Sequence, residues 1–157
     1  MNEAKRLIAE RQRFVEKTIK FVHELLNAEG KVLKHETHSC HMYSLRELQF
    51  EGFKFMDEGS LTMYGGDIVT IYFQGWKVFE VRYNDLDKAE VKEFDLTMPC
   101  PDWQSPLKKL MRLGVPRIAA RIDKAKKRAE ALYEKDIQIG AAQKQVRKEM
   151  ERLRLVV

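Results

Sequence analysis

The spacing of apolar positions changes character along the chain, and each change marks a predicted element. From Asn2 to Ala28 the rows Leu7, Phe14, Phe21 and Ile8, Val15, Val22, joined by Thr18, Leu25 and Leu26, keep the spacing of one helical face. They predict an amphipathic helix, with Gly30 as a left-handed C-terminal cap.

Residues 46 to 98 show a shorter period. Runs rich in Phe, Tyr, Val and Ile are punctuated at Asp57 to Ser60, Gly65-Gly66, Gln74-Gly75 and Asn84 to Lys88, which predicts an antiparallel meander of four or five strands. In "LQFEGFKF" the apolar parity shifts between Phe50 and Phe53, so Gly52 is expected at a bulge. "IVTIYFQGWKVFEVRY" is the clearest hairpin, with Gln74-Gly75 as its two-residue loop. Regular pairing about that loop would set Phe73, Ile71, Val69 and Asp67 opposite Trp76, Val78, Glu80 and Arg82 on one face. Ile68, Tyr72, Phe79, Val81 and Tyr83 would then lie on the other. Both faces would be partly apolar, so the terminal helices are expected to cover one side each.

Beyond the connector "MPCPDWQSP", Ser105 and Pro106 predict a helix start and Gly114 its end. Pro116 opens a further helix, in which Ile118, Ile122, Ala125, Ala129 and Leu132 alternate steps of four and three, a heptad seam. A second seam of Ile139, Val146 and Leu153 either passes straight through Gly140 or follows a break there. One long helix and a helical hairpin both satisfy the pattern. The fold class is therefore α+β: an N-terminal amphipathic helix, an antiparallel meander and basic C-terminal helices. The expected organisation is a single domain over 1–157, with the helix in 1–30, the sheet in 31–98 and the basic helical part in 99–157.

Charge sharpens this picture. The formal net charge of +5 is unevenly spread over the 157 residues. Residues 1–34 hold eight Lys/Arg against five Asp/Glu, residues 35–103 six against thirteen, and residues 104–157 fifteen against six. Basic ends around an acidic middle point to a polyanion surface. On the last helix Arg117, Arg121, Lys124 and Arg128 line one face, with Lys127 beside them; on the first, Arg13, Lys17 and Lys20 make a shorter flank. Nucleic acid, DNA or RNA, is the expected partner of these cations, because phosphate contacts require little more than charge at fixed spacing. A protein interface is the alternative. Trp76 beside Asp85, Asp87, Glu90, Glu93 and Asp95 would suit a basic, nucleic-acid-handling protein, as for an inhibitor or adaptor of the mobile-element or phage type.

Two clusters are candidates for chemistry. His35, His38, Cys40 and His41 carry the donor atoms of a zinc site, but a strand divides them between two faces and no second ligand pair of finger-like spacing exists. Asp67, Glu80 and Arg82 would gather on one face of the regular hairpin. An acid on one strand and an E-x-basic element on its neighbour resembles, over sixteen residues, the metal-binding core of restriction-type nucleases. Arg82 stands where lysine is usual in that family, and no strand follows the later helix. The resemblance implies Mg²⁺-dependent cleavage. Against these stands the absence of a G-x-S-x-G elbow, a phosphate-binding G-x-x-x-x-G-K loop and a G-x-G-x-x-G turn. The expectation is a non-catalytic regulator without a cofactor. A charged N-terminus and a longest apolar stretch broken by Asp67 and glycines predict no membrane partner and a cytoplasmic chain. Its two cysteines, far apart in sequence, are expected as reduced thiols. The heptad seam also permits a homodimer.

Overall fold

The computed structural model describes residues 2–38, 41–60, 67–83, 90–92 and 99–156, with side chains described over 2–33, 44–59, 67–83 and 99–154. Helix α1 spans Glu3–Glu29, and the Asn2 side-chain oxygen accepts from the Ala4 N–H at 3.2 Å, satisfying one of the helix's orphan donors. Val15, Thr18, Ile19, Val22, Leu25 and Leu26 are buried, whereas Leu7 and Ile8 are exposed. The covered face therefore begins about three turns into the helix. The buried Thr18 hydroxyl donates to the Phe14 carbonyl at 2.7 Å, so it sits among apolar residues without an unmet hydrogen bond.

Gly30 does not adopt the expected left-handed conformation, since its backbone is extended at φ −66° and ψ 139°. Space explains the glycine instead. A Cβ there would stand 2.4 Å from the Leu26 carbonyl oxygen, which accepts the Gly30 N–H at 2.9 Å.

The sheet is an antiparallel meander in sequence order, β1 Lys31–His38, β2 His41–Phe50, β3 Phe53–Ser60, β4 Asp67–Phe73, β5 Trp76–Tyr83 and β6 Glu90–Lys92. The α+β architecture is that expected, and β1 adds a strand ahead of the predicted run. Gln74-Gly75 makes the predicted loop, with φ of 49° and 84°. Glu51-Gly52 repeats the same geometry at φ 47° and 82°, so Gly52 belongs to a second two-residue hairpin loop rather than to a bulge. The parity shift between Phe50 and Phe53 reflects a reversal of the chain, which sets those two residues opposite each other.

The true irregularity is in β5. Tyr72 pairs with Lys77 and Ile71 with Phe79, which leaves Val78 as the extra residue. Every pair beyond it differs by one from regular pairing: Thr70 faces Glu80, Val69 faces Val81, Ile68 faces Arg82 and Asp67 faces Tyr83. Phe79, Val81 and Tyr83 thereby join Val69, Ile71, Phe55 and Phe53 in the core, where α1 packs over β2 and β3. Phe21 meets Phe55 edge to face at 6.1 Å between ring centroids. The opposite face is mixed, with Leu45, Met56, Ile68 and Tyr72 half-buried around the ion pairs Lys54–Glu47 at 3.6 Å and Lys77–Glu80 at 3.2 Å. The fully buried sheet residues Phe55, Val69, Ile71 and Val81 lie on the other face, that of α1.

Helix α2 spans Gln104–Leu113 and α3 spans Val115–Val156. Asp102 rather than Ser105 serves the start of α2, accepting from the Gln104 N–H at 3.1 Å and the Ser105 N–H at 3.4 Å. Gly114, at φ 88°, ends the helix in a conformation open to glycine. The chain divides into two compact units, Met1–Pro116 and Arg117–Val157. Helix α2 thus belongs with α1 and the sheet, while the second unit is helical throughout its described length. Among the described residues no helix is long and apolar enough to cross a membrane.

Candidate functional site

Within the first unit, two helices distant in sequence build a cationic groove. Trp103, at the start of α2, lies 6.2 Å from the Phe14 ring of α1 and 6.5 Å from Phe79 of β5, and it fixes that end of α2 against both. Leu107 and Leu110 are buried, so Lys108 and Arg112, four residues apart, share a face turned away from the core. On α1, Arg13 and Lys17 are likewise four residues apart, on either side of Phe14. Between the helices runs a groove of about 370 Å³ with these four cations around Phe14 and Met111. Glu10, its one acidic lining residue, pairs with Arg6 at 3.8 Å. Lys108 Nζ sits 5.6 Å from the centre of the Phe14 ring, a cation–π distance. Arg13, Lys17 and Arg112 form no ion pair among the described residues, so their charge is available to a ligand.

The sequence flank Arg13, Lys17 and Lys20 is therefore divided. Lys20 borders a smaller cleft of about 210 Å³ with Ile19, His23, Glu24 and Tyr83. Lys108 and Arg112 were not singled out by sequence, although their i,i+4 spacing opposite Leu107 and Leu110 carries the signal.

The α3 candidates Arg117, Arg121, Lys124, Lys127 and Arg128 are all exposed. Lys127 pairs with Asp123 one turn earlier at 3.1 Å, a solvated pair of little energetic weight. The helix runs unbroken through Gly140, which joins the two seams. Ala125, Leu132, Ile139, Val146 and Leu153 recur every seven residues on one continuous stripe. From Asp123 to Arg154 every residue is exposed, including Leu132 at 58 %, Ile139 at 55 %, Val146 at 55 % and Leu153 at 65 %.

The structure does not gather Asp67, Glu80 and Arg82. The Val78 bulge sets Asp67 on the core face opposite Tyr83, while Glu80 and Arg82 stand on the mixed face opposite Thr70 and Ile68. Without one shared face there is no two-acid metal cradle. The pairing of Asp67 with Glu80 and Arg82 on one face, from which the nuclease resemblance was read, does not occur in this register.

Asp67 instead joins a polar cluster where α1 meets the sheet. Asp57, 6 % exposed, accepts from Arg46 Nη2 at 2.7 Å and lies 3.6 Å from His23 Nε2. His23 is hydrogen-bonded to the Tyr83 hydroxyl, and Arg46 also reaches Asn27 of α1. Asp57 Oδ1 is buried without a hydrogen-bond partner among the described residues. Burial raises the pKa of Asp67 above its usual 3.8 and the Asp57 charge adds to the rise, against opposing contributions from His23 and Arg46. Burial, followed by the Asp67 and Asp57 charges, pushes the Tyr83 hydroxyl far above its ordinary 10.0. The cluster ties α1 to β2, β3 and β5 through polar contacts. Among the described residues it contains no serine, threonine or cysteine nucleophile, and no three His, Cys, Asp or Glu side chains gather to hold a metal ion.

The zinc candidates His35, His38, Cys40 and His41 lie outside the residues whose side chains are described, as do Asp85, Asp87, Glu90, Glu93 and Asp95 of the candidate protein interface. Trp76 is described and half-buried, opposite Phe73. No family model matches the chain, and neither does any curated protein or solved structure.

Proposed function

We propose that the protein is a small, non-catalytic, cytoplasmic regulator that contacts nucleic acid, and that the α1–α2 groove is its principal contact surface. The observation that carries this reading is the convergence of Arg13 and Lys17 with Lys108 and Arg112 around Phe14 and Met111. Four cations held by two packed helices offer phosphate contacts at fixed spacing. The half-exposed Phe14 ring and the Met111 thioether add an apolar floor, against which a base or sugar packs when a strand lies in the groove. The Arg side chains supply forked donors that match phosphate oxygens, and the lysines supply point charge.

The test compares exchanges in the two units by titration of labelled duplex DNA, single-stranded DNA and RNA. Lys108→Ala with Arg112→Ala is expected to weaken binding at least about tenfold, from two lost phosphate contacts. Lys124→Ala with Lys127→Ala on α3 is expected to weaken it less. Equal losses from both pairs would refute a principal role for the groove.

A second reading, a protein-binding adaptor, is favoured by one specific feature, the exposed heptad face of α3. The acidic residues that suggested such a role from sequence lie outside the described side chains.

A further inference from the structure

The apolar stripe of α3 is too long and too regular to be incidental, and its flanks specify what would cover it. The first heptad row is Ala125, Leu132, Ile139, Val146 and Leu153; the second is Ala129, Asp136, Gln143 and Met150, four residues after each of the first four. Ala125 to Leu153 spans roughly 43 Å of helix at 1.5 Å per residue, and all of it is exposed. The positions beside the stripe are strongly biased. Lys126, Arg128, Lys135, Arg147 and Arg154 flank it, with Glu149 as the single acid. The remaining acids in this stretch, Glu130, Glu134 and Glu151, lie on the outward face.

Flanking charges set partner choice in paired helices, because each faces a flank of the opposite helix. A second copy aligned in parallel would place Asp136 against the same carboxylate across the seam, and its favourable flanking pairs would be limited to Glu149 with Arg154, made twice by symmetry. An antiparallel copy would set flank against like flank, and these are mostly cationic. We infer that α3 pairs with a helix of a different protein that carries apolar heptad residues, acidic flanks and a cation or amide opposite Asp136. This goes beyond the nucleic-acid reading and does not depend on it, since the α1–α2 groove lies in the other unit.

The test uses the intact chain and two labelled synthetic peptides of four heptads with leucine at both seam positions, one flanked by Glu and one by Lys. The chain alone is expected to sediment as a monomer. The Glu-flanked peptide should bind about 100-fold or more tightly than the Lys-flanked one, from several flanking pairs that are attractive in one and repulsive in the other. Arg128→Glu with Lys135→Glu should erase most of that preference. Leu132→Asp with Ile139→Asp should abolish binding while leaving the first unit folded by circular dichroism, since both side chains are exposed. A chain that sediments as a dimer and becomes monomeric on Ile139→Asp would overturn the inference in favour of a second copy. Equal affinity for the two peptides, or none for either, would also overturn it.

Discussion

Gly30 and Gly140 show how one residue type serves opposite ends. At Gly30 an added methyl would meet the Leu26 carbonyl oxygen at 2.4 Å, with backbone on both sides of the contact. Gly30→Ala should therefore lower stability by about 1–3 kcal/mol, as overpacking does, measured from the urea midpoint. At Gly140 an added methyl meets nothing within 4 Å, and the helix continues on either side. Gly140→Ala should raise the melting temperature of α3, through a gain of about 0.5–1 kcal/mol in helix propensity. At Asp67 the consequence is a pH dependence. A carboxyl whose pKa is raised in the folded chain binds protons more readily there than when unfolded. Stability contributed by this group is thus highest below pH 3.8 and falls as pH rises through the raised value, where the ionised form must be held near Asp57. Asp67→Asn should flatten the fall between pH 3.8 and neutrality in urea midpoints taken across that window. An unchanged pH profile would mean that Asp67 does not titrate differently in the folded chain.

At the scale of elements, the Val78 bulge decides which side chains are core. Phe79→Ala, at a buried position, should cost about 3–5 kcal/mol, whereas Arg82→Ala on the mixed face should stay within about 0.5 kcal/mol. Regular pairing would instead set Arg82 opposite Asp67 on the face of Val69 and Ile71, where its loss would cost more, so the Arg82→Ala denaturant midpoint tests the register. That bulge was not legible in "WKVFEVRY", where Val and Phe stand side by side and either parity supplies an apolar face. The loops were easier, because Gln74-Gly75 and Glu51-Gly52 both end in the glycine that positive φ favours. Even so, Glu51-Gly52 within an aromatic run resembles a bulge until the pairing partners are known. Strand β1 fell within the expected sheet region 31–98 but was not legible as a strand, because of its composition. Lys31, Lys34, His35, Glu36 and His38 leave few of the residues that usually mark strands, and lysine and charge are common on a sheet's edge. The period of α1 was legible, and the heptad spacing of α3 could be read as well, although a single glycine left its continuity open. One interior glycine costs a long helix only about 1 kcal/mol, so the helix runs through it.

At the scale of the whole molecule, the charge asymmetry was legible as a total but not as a surface. Arg13 and Arg112 are ninety-nine positions apart and belong to one groove because Trp103 holds α2 against Phe14 and Phe79. No spacing rule links residues across that distance; only the tertiary placement of α2 does. A groove that receives a phosphate backbone releases counterions on binding, so salt dependence tests the claim of such a groove. Binding of labelled duplex DNA should weaken with salt at a log–log slope of about −3 to −4, near −0.9 for each phosphate met by the four groove cations. Lys108→Ala with Arg112→Ala should make the slope shallower by about 2, because two of those contacts are lost. Absence of binding at low salt, or a slope that the two exchanges leave unchanged, would contradict the claim.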